Sequence, residues 1–318
     1  MARYAVTGGG GFIGSNLVEA LLRRGEDVRA IDDFSTGRRE NLDEVVTWAR
    51  AGGGKFELLE GDLRDAEVCA ETVRDVDYVL HKAAVPSVQR SVQDPIGTSE
   101  VNIEATVQLL VAARDAGVKR FVFASSSSVY GESEVLPKVE TMPTAPISPY
   151  GLQKLTAEQY CKIFHRLYGM PTVALRYFNV FGPRQDPASE YAAVVPRFVS
   201  AVRRGETPVV YGDGEQTRDF TFVSNVVEAN VLACAAQPSA LGGAFNIACG
   251  ERISLNDLLR DIGAIAQRTV AARHEAARPG DIRHSLADIA LARTQLGFTP
   301  RVSLREGLTR LWAEPSAG

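Results

Sequence analysis

Residues 7–14 read Thr7-Gly8-Gly9-Gly10-Gly11-Phe12-Ile13-Gly14. An apolar run, Tyr4-Ala5-Val6, precedes them. Phe12 to Arg24 follows, with Ile13, Leu17, Ala20 and Leu21 at the spacing of one helix face. Glycines between a strand and a helix permit a tight turn, and they let backbone N–H groups approach a pyrophosphate at the helix N-terminus. Two registers fit: Gly8, Gly11, Gly14 and Gly9, Gly11, Gly14. The next apolar run, Asp27 to Ile31, leads to Asp32, 18 residues past Gly14. A carboxylate there accepts hydrogen bonds from an adenosine ribose and repels a 2′-phosphate, so NAD is expected rather than NADP. Arg38 and Arg39 argue the reverse unless they belong to a solvated loop. Asp62-Leu63 follows the third strand, where it abuts the adenine; Asp62 equally suits the N-cap of a helix over 64–73.

Outward from this loop the pattern repeats. Strands are predicted over Lys55–Leu59, Tyr78–Leu80, Arg120–Ala124 and Thr172–Leu175, and helices over Ile96–Ala116 and Pro149–Tyr168. Strands alternating with helices imply an α/β fold, a doubly wound parallel sheet with helices on both faces. After residue 179 the texture changes, with polar turns at 182–187, 211–220 and 278–281. Residues 1–178 are expected to bind the cofactor and 179–318 to form a smaller α/β substrate-binding part, with chain crossings between the two. Their cleft should lie at the carboxyl ends of the strands.

Bulk properties narrow the class. The net charge is −4, which offers no basic excess for nucleic acid. No stretch nears 18 apolar residues, so no membrane span is expected. The first residues, MARYAVTGGG, lack a signal-peptide pattern, which points to the cytoplasm. Cys69, Cys161, Cys234 and Cys249 form no CxxC and read as reduced thiols. His81, His165, His274 and His284 share no ligand spacing, so no metal is expected.

A second motif carries chemistry. In Ser148-Pro149-Tyr150-Gly151-Leu152-Gln153-Lys154, Ser148 suits a helix N-cap and Pro149 the first helical position. Tyr150 and Lys154 then share one helix face. An ammonium beside a tyrosine, with a positive nicotinamide ring, favours phenolate and makes the pair a usable acid/base. Upstream, Ser125-Ser126-Ser127-Ser128-Val129-Tyr130-Gly131 ends the fifth strand, where a hydroxyl can relay the substrate proton.

The glycine loop, Asp32, the serine run, YGLQK and Arg176-Tyr177-Phe178-Asn179 together resemble the extended short-chain dehydrogenase/reductase family. Within it the chain is similar to nucleotide-sugar 4-epimerases from about residue 3 to about 312. The resemblance implies a Rossmann sheet and a tightly bound, recycled NAD. It assigns Ser126, Tyr150 and Lys154 to catalysis. It places Gly8, Gly11, Phe12, Ile13, Gly14, Asp32, Asp62, Leu63, Ala83, Ala84, Asn102, Ser125 and Tyr177 about the cofactor. Around a UDP-sugar it sets Ser87, Val88, Ser128, Asn179, Val194, Val195, Tyr211, Arg218, Arg278, Asp281 and Ser285. Lys82 departs from the pattern, which has an uncharged residue there.

Two comparisons within the family refine the expectation. Related dehydratases and UDP-glucuronate decarboxylases carry acids just after the strand-end hydroxyl; here Ser127 and Ser128 stand there, so the hydride is returned without elimination. Where glucose/galactose epimerases have a tyrosine, this chain has Ser285, which leaves room for a 2-acetamido group. The expected activity is interconversion of UDP-GlcNAc and UDP-GalNAc, with UDP-Glc and UDP-Gal as further substrates. A UDP-glucuronate 4-epimerase and a non-catalytic nucleotide-sugar sensor are the alternatives. A homodimer is expected by resemblance, with Val101, Ala105, Leu109 and Ala112 as a partner face or, alternatively, as packing on the sheet.

Overall fold

The computed structural model describes residues 1–52, 54–186, 193–277 and 282–314. The main sheet comprises β1 (Arg3–Thr7), β2 (Asp27–Asp32), β3 (Phe56–Glu60), β4 (Tyr78–His81), β5 (Arg120–Ser126), β6 (Thr172–Tyr177) and β7 (Ala244–Ile247). Their order is β3-β2-β1-β4-β5-β6-β7, and all pairings are parallel. The order reverses between β1 and β4, and a ligand crevice opens at such a switch point. The predicted strands are extended at their carboxyl ends by His81, Ser125-Ser126 and Arg176-Tyr177, whose ladder bonds outlast the apolar pattern.

Helices cover both faces. On one, Leu17 and Leu21 of the helix Phe12–Arg23 pack with Val226, Ala229 and Ala233 of the helix Val223–Cys234. On the other, Leu109, Leu110 and Ala113 pack with Ala157, Cys161 and Phe164. Each fully buried aliphatic or Phe side chain contributes roughly 1.5–3 kcal/mol. A further core, around Phe181, Phe198, Val210, Phe222, Leu258 and Leu308, belongs to residues beyond 179. The chain crosses back, however: β7 and the helix Ala290–Leu296 complete the main sheet and its core.

The helix Pro149–Tyr168 has the predicted bounds. Ser148 Oγ accepts from Gly151 N at 3.1 Å, and Gly169 (φ +66°) ends the helix in the left-handed region. The predicted helix 96–116 is interrupted. It divides into Pro95–Ser99, a π-helical turn Glu100–Glu104, and Ala105–Asp115. Of the two readings of its apolar stripe, packing on the sheet holds for Ala105 and Leu109, which are buried, and for Ala112, packed on the same core; Val101 lies in the π-helical turn. An apolar helix stripe is claimed first by the sheet it lies on. No described helix is long and apolar enough to cross a membrane.

Candidate active site

The loop after β1 is shaped by close backbone approach. A Cβ at Gly14 would lie 1.9 Å from the Gly8 carbonyl oxygen. Gly8 has φ +65°, and a Cβ there would meet Ala83 N at 2.8 Å. Gly11 caps the following helix without a side chain, and Phe12 and Ile13 form its first turn. Asp32, buried at the end of β2, accepts from Gly10 N and Phe34 N at 2.8 Å each. Burial raises its carboxyl above the ordinary range. Arg39 pairs with Glu60 at the end of β3 and lies over the Phe34 ring, so its charge is already engaged. A steric cradle, a helix start and an acid at the β2 end fit a pyrophosphate and a ribose diol, so these residues suit NAD.

Neighbouring residues sort into contacts and supports. Asp62 does not cap the next helix; Asp65 does, accepting from Glu67 N at 2.8 Å. Asp62 instead takes Arg64 at 2.6 Å, beside the buried Leu63. Lys82 N and Ala83 N both donate to Thr7 Oγ1 at 3.1 Å, so the strand end leading to Ala84 keeps its register despite the lysine. The Lys82 amine donates to the Tyr177 hydroxyl at 3.0 Å, and burial pulls its ammonium well down. Tyr177 is also bonded to Asn230. Asn102 is turned inward: it brackets the Val85 backbone and donates to Gln153 at 2.8 Å. Its side chain therefore ties the strand end to the helix Pro149–Tyr168. Ser87 caps the helix Val88–Gln93, whose Val88 is exposed.

The hydroxyls converge at the end of β5. Ser126 Oγ accepts from Ser128 N at 3.2 Å and from Ser128 Oγ at 2.8 Å. Those acceptances engage its lone pairs, and a bond with the Tyr150 hydroxyl favours the phenolate. Burial pushes the Tyr150 hydroxyl up to about 12 against that bond, and pulls the Lys154 ammonium down to about 8. Burial, rather than the lysine charge, thus governs Tyr150; the Lys154 amine lies 5.9 Å from the tyrosine ring centroid. Ser125 is turned away, donating to Glu158 at 2.7 Å. Glu158 pairs with buried Arg176 at 2.6 Å, and Arg176 donates to Tyr130 Oη at 2.8 Å. This network anchors the short helix Ser127–Tyr130 beneath the serines.

A cleft of about 230 Å³ brings together Asn179, Val194, Val195, Tyr211 and Arg218, five residues assigned to the substrate. Arg197, Gln216, Phe220 and Leu255 also line it. Arg197 lies over the Tyr211 ring at 5.5 Å, a cation–aromatic pair that no short motif announces. Ser285 N donates to Thr217 O at 3.0 Å, and Thr217 N in turn donates to Arg283 O at 3.0 Å. These backbone bonds join the Ser285 segment to the strand of Arg218. From the same segment, Ala287 and Ile289 pack with Val129 and Tyr130, next to the serine run. Arg278 and Asp281 lie outside the described residues. All four cysteines are free thiols, and burial raises each of them, which leaves them inert. Among the described residues no His/Cys/Asp/Glu group could hold a metal ion.

Comparison with known proteins places the whole arrangement. Residues 4–248 match the NAD dependent epimerase/dehydratase family. A UDP-glucose 4-epimerase of Mycolicibacterium smegmatis is 40% identical over 310 residues, covering 97% of this chain and 96% of that protein. The structure of UDP-N-acetylglucosamine 4-epimerase from Methanobrevibacter ruminantium, in complex with UDP-N-acetylmuramic acid, superposes with TM-score 0.91 at 41% identity, covering 98% of this chain and 97% of that one. UDP-glucuronic acid 4-epimerase from Bacillus cereus, with UDP-glucuronic acid and NAD, gives TM-score 0.88 at 32% identity and covers 98% of each chain. With its glycine cradle, Asp32 and the Ser126–Tyr150–Lys154 cluster in place, this chain belongs to the NAD dependent epimerase/dehydratase family, and NAD is its cofactor.

Proposed function

We propose that this UDP-sugar 4-epimerase interconverts UDP-GlcNAc and UDP-GalNAc, and also accepts UDP-Glc and UDP-Gal. The observation that carries the preference is Ser285. Its backbone is pinned to Thr217, and its segment packs beside the serine run. A hydroxymethyl at that place, where a tyrosine ring would crowd the sugar, leaves space for a 2-acetamido group.

NAD, when bound, would supply the hydride acceptor and donor for C4 of the sugar. Tyr150 takes the C4 hydroxyl proton as phenolate; a cationic ring held beside it would offset the cost of burying that charge. Ser126 hands the proton between sugar and tyrosine, with Ser128 fixing its orientation. Lys154 would hold the nicotinamide ribose. Arg218 holds the diphosphate, because a guanidinium fork matches phosphate oxygens. The 4-keto sugar turns over while UDP stays fixed in the cleft of Asn179, Val194, Val195 and Tyr211.

The test is an epimerase assay on UDP-GlcNAc, UDP-Glc and UDP-glucuronate in parallel, repeated with Ser285→Tyr. The substitution should remove turnover of the acetamido sugar and spare that of UDP-Glc. An unchanged ratio would overturn the pocket assignment, and a preference for UDP-glucuronate would replace it. No turnover of any of them would favour the sensor reading.

Pairing of two copies is part of the same reading. Leu152, Tyr160, Ile163 and Leu167 form an exposed stripe on the helix Pro149–Tyr168. An apolar stripe of this kind marks an interaction surface. Sedimentation should find a dimer; a monomer alone would remove the proposal.

A further inference from the structure

Asp219 follows Arg218 directly, and its side chain is 0% exposed. Its Oδ1 accepts from Cys249 N at 3.0 Å, and its Oδ2 from Gly250 N at 3.0 Å and Ala287 N at 3.2 Å. Its backbone carbonyl accepts from Asn179 Nδ2 at 3.2 Å. Four segments distant in sequence therefore meet at one residue: the strand of Arg218, Asn179, the turn after β7, and the segment of Ser285.

We propose that Asp219 is a positioning residue for the UDP-sugar cleft, holding Arg218, Asn179 and the Ser285 segment in their binding arrangement. The proposal rests on the UDP-sugar reading above. Asp219 acts through the backbones it ties, not on the reacting atoms or the cofactor. Its chemistry suits the task. An ionised carboxylate only accepts, and it can accept several bonds, whereas an amide would turn an NH2 group toward an N–H donor. Each charge-assisted bond of this kind is stronger than a neutral one.

Among the described residues the groups around this carboxylate are engaged elsewhere or carry no positive charge. Arg218 Nη1 turns to the carbonyls of Thr217 at 3.0 Å and Arg283 at 3.3 Å. Arg176, on the segment leading to Asn179, is paired with Glu158. His284 is bonded to Thr217 Oγ1 at 3.0 Å, and Asp288 accepts from Ala290 N at 2.6 Å. The Cys249 thiol and the Glu251 carboxylate face Asp219 and offer no positive charge. Burial pushes the Asp219 carboxyl up to about 6, against the three N–H bonds that favour its anion. As pH falls through that value the carboxyl gains a proton, an oxygen stops accepting, and the ties loosen. Affinity for the nucleotide should be full above the transition and decline below it.

The experiment measures the Kd for UDP by calorimetry and the KM and kcat for the UDP-sugar on holoenzyme, from about pH 5 to about pH 8, a range that brackets an ordinary imidazole. In Asp219→Asn we expect Kd and KM to rise about ten-fold or more, with kcat within about three-fold and NAD content unchanged. In the wild type Kd should rise on acidification beyond what the terminal phosphate of UDP, which itself titrates at about 6, accounts for; in the variant Kd should be high and follow that phosphate alone. His284→Gln should keep the wild-type profile, which separates the imidazole from the carboxylate. Unchanged UDP affinity in a folded, NAD-containing Asp219→Asn protein would overturn the proposal. If that variant does not fold, a wild-type Kd that follows the phosphate alone overturns it equally. Failure of the wild type to turn over any UDP-sugar would count against the substrate reading, while the UDP titration still decides on Asp219.

Discussion

The two halves of the site are built by different means. The cofactor loop is fixed by backbone sterics on a seven-stranded sheet, where even a methyl group at Gly14 has no room. The cleft is assembled from short strands such as Val180–Phe181, Thr217–Arg218 and Ile253–Ser254. Pairs this short have little stability of their own. Buried polar side chains brace the segments around them. Asn225 donates to Val302 O at 2.8 Å and accepts from Arg301 N and Val302 N, much as Asp219 ties its own segments. Asn246 likewise donates to Lys138 O and Asp288 O. Sterics suit a cofactor kept through every turnover. Side-chain ties would suit the proposed substrate cleft, which must admit and release its ligand.

That contrast can be broken at the junction first. Tyr150→Phe should lower kcat by roughly 10²–10⁴-fold, the usual worth of a positioned acid/base, while NAD content and KM hold. Near-normal turnover would show that proton transfer lies elsewhere. Arg218→Lys sharpens the contrast with a smaller effect. Losing the two-pronged fork should raise KM about ten-fold with NAD content unchanged. A loss of NAD in that variant would mean that the halves are not held independently.

Legibility in the sequence followed the range of the interactions. The glycine loop and the helix Pro149–Tyr168 could be read because their signals are local: glycines where a Cβ would clash, Ser148 at the cap, Gly169 at the end. Tyr150 and Lys154 came with that helix. The burial that governs the Tyr150 hydroxyl did not, because it depends on everything packed around the pair. The Ala105–Leu109 stripe had the right period, but a period does not say which surface covers it. Arg197 and Asp219 were missed because their partners are remote in sequence. The one signal at Asp219 is an acid preceding the apolar Phe220 and Phe222, all three buried.

β7 has a consequence for synthesis. It pairs with β6, whose six residues are all buried, yet residues 178–243 lie between the two strands. A ribosome adding about 5–20 residues per second needs roughly 3–13 s to cross that interval. For those seconds the nascent sheet ends in an apolar strand with open hydrogen-bonding groups, the kind of edge that captures stray chains. The topology that seals the finished sheet thus leaves the half-made one with an open edge.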